Sequence, residues 1–234
     1  MSKPVDGALS GKVALVTQAY TGVGRSIAKA LAAQGARVVI HHPHIPEAAA
    51  DVLEEITSAG GDAVGLAADI GDRTEYEELV QALLEDCGRW DVLVTTATVP
   101  DAEPFAQISG ESFDSFVVAV RGVFHGLQLA LRHLADGGRI ITVCDAVSPN
   151  GAIYGATLGA VERLGRAVSA DFATRQITVN AVGRGITEAA DPELAAGVAA
   201  LRQPAEVVTY LVGEAGKTVT GQVVRLDGAA EPVQ

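Results

Sequence analysis

A glycine-bearing turn near the start of the chain has the residue types needed to hold the phosphates of a nucleotide. The apolar run Val13–Val16 ends there, Gly22 and Gly24 follow, and apolar residues then recur at helical spacing. Because glycine has no Cβ, its backbone can approach a pyrophosphate closely, and the start of the following helix offers free N–H groups and a positive dipole end. This order of strand, tight turn and helix predicts the opening of a dinucleotide-binding βαβ unit.

Histidines cluster directly after the next apolar run, Arg37–Ile40, in the segment His41-His42-Pro43-His44. Protonated imidazoles could meet a phosphate group, such as the 2′-phosphate of a nucleotide. The same residues could form a metal cluster, or simply a polar loop before the next helix. The loop is the simplest of these interpretations, and we predict no metal site.

The elements that must position these residues alternate between strand and helix along the chain. Continuous β-branched runs are typical of strands in a parallel sheet that is covered on both faces, and the amphipathic segments between them predict helices. This alternation predicts a doubly wound α/β sheet. The chain contains no evident repeat, linker or second domain, so we predict one domain over residues 1–234. The longest predicted helices are Pro46–Ala59, Arg73–Cys87, Ser112–Leu134 and Gly155–Phe172.

Composition and charge narrow the classes of function. The chain has 234 residues, 48% of them hydrophobic, which is enough for one domain with a large core. A formal net charge of -12 disfavours binding to nucleic acid, because such a surface repels phosphate backbones. No apolar run is long enough to cross a bilayer, and the first residues lack the apolar region of a signal peptide. Two cysteines are too few for a disulfide framework, so we expect a cytoplasmic protein with free thiols.

Several motifs resemble those of the short-chain dehydrogenase/reductase family. The first family motif is T-G-x-x-x-G-x-G, and Thr17, Gly22 and Gly24 match it, with Gln18 in place of the first glycine. The segment Tyr154-Gly155-Ala156-Thr157-Leu158 resembles the Y-x-x-x-K signature, without the lysine. The resemblance runs from about Leu9 to Gly228 in the family's order. It implies a Rossmann fold, a doubly wound parallel sheet of about seven strands with helices on both faces.

The resemblance also implies a cofactor site at the strand ends. Asp69 matches the family's aspartate on the adenine side, but no carboxylate follows the second strand to select NAD by its ribose. Thr95 and Thr96 stand where the family has two asparagines, and their hydroxyls can still form hydrogen bonds. Gln18 adds bulk beside the pyrophosphate and Leu158 removes a ribose contact, so NAD(P) binding is expected to be weak or absent. The implied cofactor-binding residues are Thr17, Gly22, Val23, Gly24, His42, Asp69, Ile70, Ala97 and Ile186.

The catalytic residues of the family are mostly replaced. A family member uses tyrosine as general acid/base, lysine to lower the tyrosine pKa, serine to polarise the carbonyl and asparagine to complete a proton relay. Tyr154 matches the tyrosine, whereas Leu158, Asp145 and Ala119 stand at the other three positions. A phenol titrates near about 10, so it needs a neighbouring cation to exchange protons near neutrality.

Two loop residues and a cysteine could compensate. Arg184 follows the sixth predicted strand and could supply a substitute cation. The segment before Tyr154 is short, so Ser148 or Cys144 could occupy the space of the serine instead of Asp145. Cys144 is otherwise expected to be a small residue closing a strand rather than a nucleophile. The candidate catalytic residues are therefore Tyr154, Asp145 and Arg184.

Three functions are compatible with these replacements. The principal expectation is a non-catalytic or weakly catalytic subunit that pairs with an intact family member. The alternatives are a repurposed enzyme that uses Tyr154 and Asp145 for dehydration, cyclisation or isomerisation, and an NAD(P)-dependent oxidoreductase acting on a carbonyl or alcohol. Family members assemble through the two long helices, here 112–134 and 155–172. We therefore expect a homo-oligomer or a hetero-oligomer, with small residues of the second helix at the contact, namely Ala160, Ala167 and Ala170.

Overall fold

Seven parallel strands form a single sheet in the computed structural model, which describes residues 7–20, 22–98, 103–145, 151–184, 201 and 203–226, without the side chains of residues 46, 98, 145 and 184. The strand order is β3-β2-β1-β4-β5-β6-β7. The strands are β1 (Val13–Val16), β2 (Arg37–His42), β3 (Asp62–Ala67), β4 (Val92–Thr98), β5 (Arg139–Asp145), β6 (Thr178–Arg184) and β7 (Val223–Leu226).

Helices cover both faces of this sheet. They are α1 (Gly22–Ala33), α2 (Pro46–Ser58), α3 (Arg73–Cys87), α4 (Gly110–His133), α5 (Ala152–Ala173) and α6 (Pro204–Val212). One buried cluster joins α1, α2 and α6 to the sheet, and a second joins α3, α4 and α5 to the opposite face. Alternate residues of a strand therefore enter different cores: Ala14 and Val16 belong to the first cluster, and Val13 and Leu15 to the second. The predicted doubly wound sheet is confirmed.

The order of the strands places a crevice between β1 and β4. From β1 the chain moves outward through β2 and β3, then returns to add β4 and the later strands on the other side of β1. In open parallel sheets, ligands bind outside the carboxyl ends of the strands where this direction reverses. The residues that follow β1 and those that end β4 therefore border the expected ligand site.

The observed bounds of the helices and strands can be compared with those predicted from the sequence. Helix α3 has the predicted bounds, because the Asp72 side chain accepts hydrogen bonds from the N–H groups of Thr74 and Glu75, and Gly88 ends the helix with a φ of 72°. Strand β2 is two residues longer than predicted. His41 and His42 pair in register with Leu66 and Ala67 of β3, so the interpretation of these histidines as part of a polar loop is wrong.

Two sequence-based expectations concern the chain as a whole. Among the helices of the described ranges, none is both long and apolar enough to span a bilayer. Cys87 and Cys144 are not joined in a disulfide. The assignment of residues 1–234 to one domain stays a prediction.

Candidate active site

Two buried threonines tie the ends of β1 and β4 together at the crevice. The Thr96 N–H donates to Thr17 Oγ1 at 2.8 Å, and the Thr96 hydroxyl donates to the Thr17 carbonyl oxygen at 2.7 Å. Both residues are buried. Thr17 follows β1 directly and its own N–H donates to the carbonyl oxygen of Val94 in β4. This reciprocal pair fixes the backbone from which the glycine-bearing turn begins.

His41 holds the same turn from the other side. Its Nδ1 accepts a hydrogen bond from the Gln18 backbone N–H at 2.9 Å, which places the ring proton on Nε2, 3.0 Å from the carbonyl oxygen of Ala68. The Ala19 N–H donates in turn to the His41 carbonyl oxygen. Burial lowers the pKa of His41 to about 4, so the ring is neutral at pH 7 and supplies no cation to a 2′-phosphate. His41 instead connects the turn to the ends of β2 and β3.

Gln18 occupies the backbone conformation that the family's glycine would adopt. Its φ is 50°, in the left-handed region, which costs a residue with a Cβ about 1 kcal/mol or more. The hydrogen bond to His41 offsets part of that cost. The bulk of Gln18 does not prevent the turn from forming, because the side chain lies against Thr96, with Oε1 3.4 Å from Thr96 Oγ1.

The described residues in the rest of the turn are compatible with a phosphate group in shape and charge. A Cβ at Gly24 would lie 2.5 Å from the Gln18 carbonyl oxygen, so only glycine allows the helix to approach the turn this closely. A Cβ at Gly22 would meet no described heavy atom within 4 Å, which leaves open space above the turn. The first turn of α1 carries no acidic residue. These features fit a pyrophosphate bound at the start of α1.

Asp69 and Ile70, which the resemblance places on the adenine side, lie just after β3. Asp69 is exposed and its Oδ1 accepts a hydrogen bond from the Gly71 N–H at 2.8 Å. Ile70 packs on Gly122 of α4. Val23 packs on the first core cluster and Ala97 is buried in β4, so each contributes shape rather than a polar group.

The three histidines do not converge on one point. The buried His42 ring donates from Nδ1 to the Pro43 carbonyl oxygen at 2.6 Å, and the exposed His44 contacts Glu75 at 2.6 Å. No group of metal-ligating side chains is present among the described residues. The structure therefore gives the metal-cluster interpretation no support, and a cofactor contact by His42 stays a prediction.

Tyr154, Leu158 and Gly183 meet at the carboxyl end of β6. Tyr154 lies in the first turn of α5 and is 3% exposed, and its hydroxyl oxygen is 3.6 Å from the Cβ position that a side chain at 183 would have. Leu158 Cδ1 lies 2.7 Å from the same point, so glycine leaves the room that Leu158 occupies. Cys144 of β5 pairs in register with Gly183 and is buried. The tyrosine hydroxyl thus has an apolar neighbour where the family has an ammonium group.

The remaining candidates are placed by their backbone alone. Asp145 ends β5 in register with Thr98, and Arg184 ends β6 in register with Leu226, so both lie at the carboxyl edge of the sheet. Ala119 is half-buried on α4. Ser148 and Ile186 fall outside the described residues. The catalytic and cofactor roles assigned to all these residues stay predictions.

The structural role of His41 was missed in the sequence. A histidine that continues a buried β-branched run is a signal of a strand-end residue whose ring must find two buried partners. The segment Val38–His41 has that pattern. Its hydrogen-bond partners, Gln18 and Ala68, are 23 and 27 residues away, so spacing could not identify them.

Comparison with known proteins settles the family. The sequence model described as short chain dehydrogenase matches residues 12–195. The chain belongs to the short-chain dehydrogenase family. Versicolorin reductase 1 of Aspergillus parasiticus is 33% identical to this family member, with 95% of this chain and 97% of the relative aligned. A probable tetrahydroxynaphthalene reductase of Zymoseptoria tritici is 32% identical over 95% of each chain.

Solved structures of other short-chain dehydrogenases have the same fold. A short chain dehydrogenase from Burkholderia cenocepacia in complex with NADP superposes with a TM-score of 0.80, at 31% identity and with 95% and 98% of the two chains covered. The angucycline C-6 ketoreductase LanV with bound NADP gives a TM-score of 0.79, at 32% identity and with 95% and 96% covered.

These relatives correct the principal functional expectation. The prediction of a non-catalytic subunit that pairs with an active family member is wrong, because the similar proteins are reductases over nearly their whole length. The expectation that NAD(P) binding is weak or absent also lacks support, because neighbours of this fold hold NADP. The physical reason lies in the turn: His41 and Thr96 accommodate Gln18, and none of the described residues comes within 4 Å of the Cβ position at Gly22.

The buried His41 predicts a pH dependence of stability. Its folded pKa of about 4 lies below the unfolded value of 6.5, so the unfolded state takes up the proton first and stability falls as pH falls between these values. We expect His41 to account for a loss of about 2 kcal/mol in the free energy of unfolding between pH 7 and pH 5. Urea denaturation at the two pH values measures this loss in the wild type and in His41→Asn, whose amide does not titrate.

The matched control is His44→Asn, because His44 is exposed. The difference in the free energy of unfolding between pH 7 and pH 5 should be about 2 kcal/mol smaller in His41→Asn than in the wild type. In His44→Asn this difference should equal that of the wild type. An equal pH dependence in all three proteins would contradict the buried, neutral state of His41.

Proposed function

We propose that this protein is an NADPH-dependent reductase of ketones on fused aromatic ring systems. The observation that carries the proposal is the position of the Tyr154 hydroxyl at the carboxyl end of β6, on the same edge of the sheet as the phosphate-binding turn after β1. The similarity to reductases, over most of the chain, supports it.

The strand ends favour NADPH over NADH as the cofactor. NADPH, when bound, supplies the hydride for carbonyl reduction. Strand β2 ends in His41 and His42 and lacks the carboxylate that would accept the ribose 2′-OH of NADH and repel a 2′-phosphate. The turn from Thr17 to Gly24 would hold the diphosphate, and Asp69 would lie on the adenine side. Two solved neighbours with bound NADP support the same choice.

Tyr154 would donate the proton that the carbonyl oxygen takes up. Reduction needs the protonated phenol, and an ordinary phenol keeps its proton up to about pH 10. Leu158 adds no positive charge that would lower this value, so we expect Tyr154 to donate a proton at neutral pH. What the missing lysine removes is the help it gives in forming the phenolate, the species that alcohol oxidation needs as a base.

The substrate class follows from the relatives. Tetrahydroxynaphthalene is a fused polyphenol, and an angucycline is a fused polycyclic aromatic compound. The keto forms of such rings are flat ketones with few rotatable bonds, which suits a crevice that must align one carbonyl with a hydride donor. We extend this substrate class to the present protein as part of the proposal.

Assembly with a second copy completes the proposal. Helix α4 exposes large apolar side chains, with Phe113, Val118 and Phe124 each 44% exposed or more. On α5, Ala167 and Ala170 are exposed and Ala160 is half-buried, so small side chains leave room for another helix. A homo-oligomer through α4 and α5 would bury both surfaces. A cytoplasmic location is proposed from the cysteine count of the sequence.

Replacement of Tyr154 tests the proposed activity. We expect the purified wild type to oxidise NADPH in the presence of tetrahydroxynaphthalene or a tetralone, followed by the absorbance of NADPH. Tyr154→Phe should lower kcat at least about 100-fold, because it removes the proton donor, while the Kd for NADPH changes less than about threefold. A Tyr154→Phe variant with the same kcat as the wild type would contradict the role assigned to Tyr154. A wild type that reduces no fused-ring ketone would contradict the substrate class.

Replacement of Leu158 tests the proton chemistry. Leu158→Lys places an ammonium group one helical turn from Tyr154 and favours its phenolate. The pH at which alcohol oxidation reaches half of its plateau should fall by about 1–3 units relative to the wild type. Leu158→Met keeps a similar volume without charge and should leave the pH profile unchanged. Identical profiles for the lysine and methionine variants would show that the group at 158 does not act on Tyr154.

Charge on the exposed face of α4 tests the assembly. Light scattering of the wild type should give a multiple of the 24.0 kDa chain mass. The double variant Phe113→Glu and Phe124→Glu should shift the mass toward one chain, because buried carboxylates disfavour the contact. Ile45→Glu changes an equally exposed apolar residue outside α4 and should leave the mass unchanged. A wild type with the mass of one chain at micromolar concentration would overturn the assembly proposal.

A further inference from the structure

The Gln18 side chain lies at the point where the sheet order reverses. Thr17 and Gln18 follow β1, and Thr96 belongs to β4, so the contact between Gln18 Oε1 and Thr96 Oγ1 at 3.4 Å spans the two strands that border the crevice. The backbone of Gln18 is held by the His41 ring and that of Thr17 by Thr96. The carboxamide therefore projects from a fixed backbone at the expected position of a ligand.

Among the described residues, the carboxamide N–H groups of Gln18 have no hydrogen-bond partner. The Thr96 hydroxyl lies 2.7 Å from the Thr17 carbonyl oxygen and, as a donor, 3.4 Å from Gln18 Oε1. The contact with Thr96 therefore engages the amide oxygen, and both amide N–H donors remain available to a ligand. Gln18 is half-buried, so part of its side chain is accessible to solvent.

The surroundings of these donors suit an anion. The first turns of α1 and α5 lack an acidic residue, whereas those of α2, α3, α4 and α6 each contain a glutamate. A Cβ at Gly22 would meet no heavy atom of the described residues within 4 Å. An amide donor at the start of a helix adds to the free N–H groups and the positive dipole end there.

We infer that the Gln18 carboxamide binds the diphosphate of the dinucleotide, with His41 and Thr96 as its positioning residues. The inference rests on the proposed function, because the diphosphate is that of NADPH. It reverses the expectation from the sequence: the residue that replaces the first glycine contributes a hydrogen bond that glycine cannot make. This hydrogen bond would offset part of the free-energy cost of the left-handed backbone conformation of Gln18.

The test measures NADPH affinity in two variants of Gln18 by calorimetry. Gln18→Glu keeps the shape but places a carboxylate beside the diphosphate, and should raise the Kd about 10- to 100-fold. Gln18→Gly restores the family residue, relieves the backbone cost and removes the amide, and should raise the Kd about 5- to 10-fold while stabilising the fold. Gln81→Glu makes the same charge change on the exposed surface of α3 and should leave the Kd unchanged.

Adenosine 2′-monophosphate, which has no diphosphate, separates a local contact from a general disturbance of the site. Its affinity should be the same in the wild type and in Gln18→Glu. An equal loss for this ligand and for NADPH would overturn the inference, as would NADPH affinity in Gln18→Gly at or above that of the wild type. A wild type that binds neither NADPH nor NADH would overturn the proposed function itself, whereas normal NADPH binding in both Gln18 variants would overturn the inference alone.

Discussion

The site depends on buried hydrogen bonds that tie the carboxyl ends of β1, β2, β3 and β4 to one turn. Thr96 bonds to both the hydroxyl and the carbonyl oxygen of Thr17, and His41 bridges Gln18 and Ala68. These groups are removed from water, so leaving any of them unpaired would cost more than the bond itself contributes. The turn is therefore held in one conformation before a ligand arrives, even with a glutamine in the left-handed region.

A second constraint acts at the other side of the crevice, where α5 packs on β6. Gly183 leaves room for Leu158, and Leu158 in turn lies beside the position reached by the Tyr154 hydroxyl. Packing of α5 on β6 thus helps to hold the phenol at a defined place. Leu158 brings no charge to it, whereas a lysine at that position would favour the phenolate.

The sequence predicted the fold well, because strand and helix signals are local. The bounds of α3 follow from a capping aspartate and a terminal glycine, and Arg73–Cys87 was predicted to the residue. The site was harder to predict. Leu158 and Gln18 replace residues that family members use, and their types alone indicated lost function. Whether such a replacement disables a site depends on partners distant in sequence, such as His41 and Thr96, which periodicity does not identify.

The central claim is that NADPH reduces a fused-ring ketone in this crevice, and transfer of an isotopic label tests it most directly. Purified protein is incubated with a tetralone and, in two separate reactions, with NADPH carrying deuterium at the pro-R or at the pro-S position of nicotinamide C4, and the alcohol product is examined by mass spectrometry. We expect one deuterium in the alcohol from one of the two reactions and none in the alcohol from the other. An unlabelled alcohol in both reactions, or no alcohol from a protein shown to bind NADPH and the ketone, would contradict the claim.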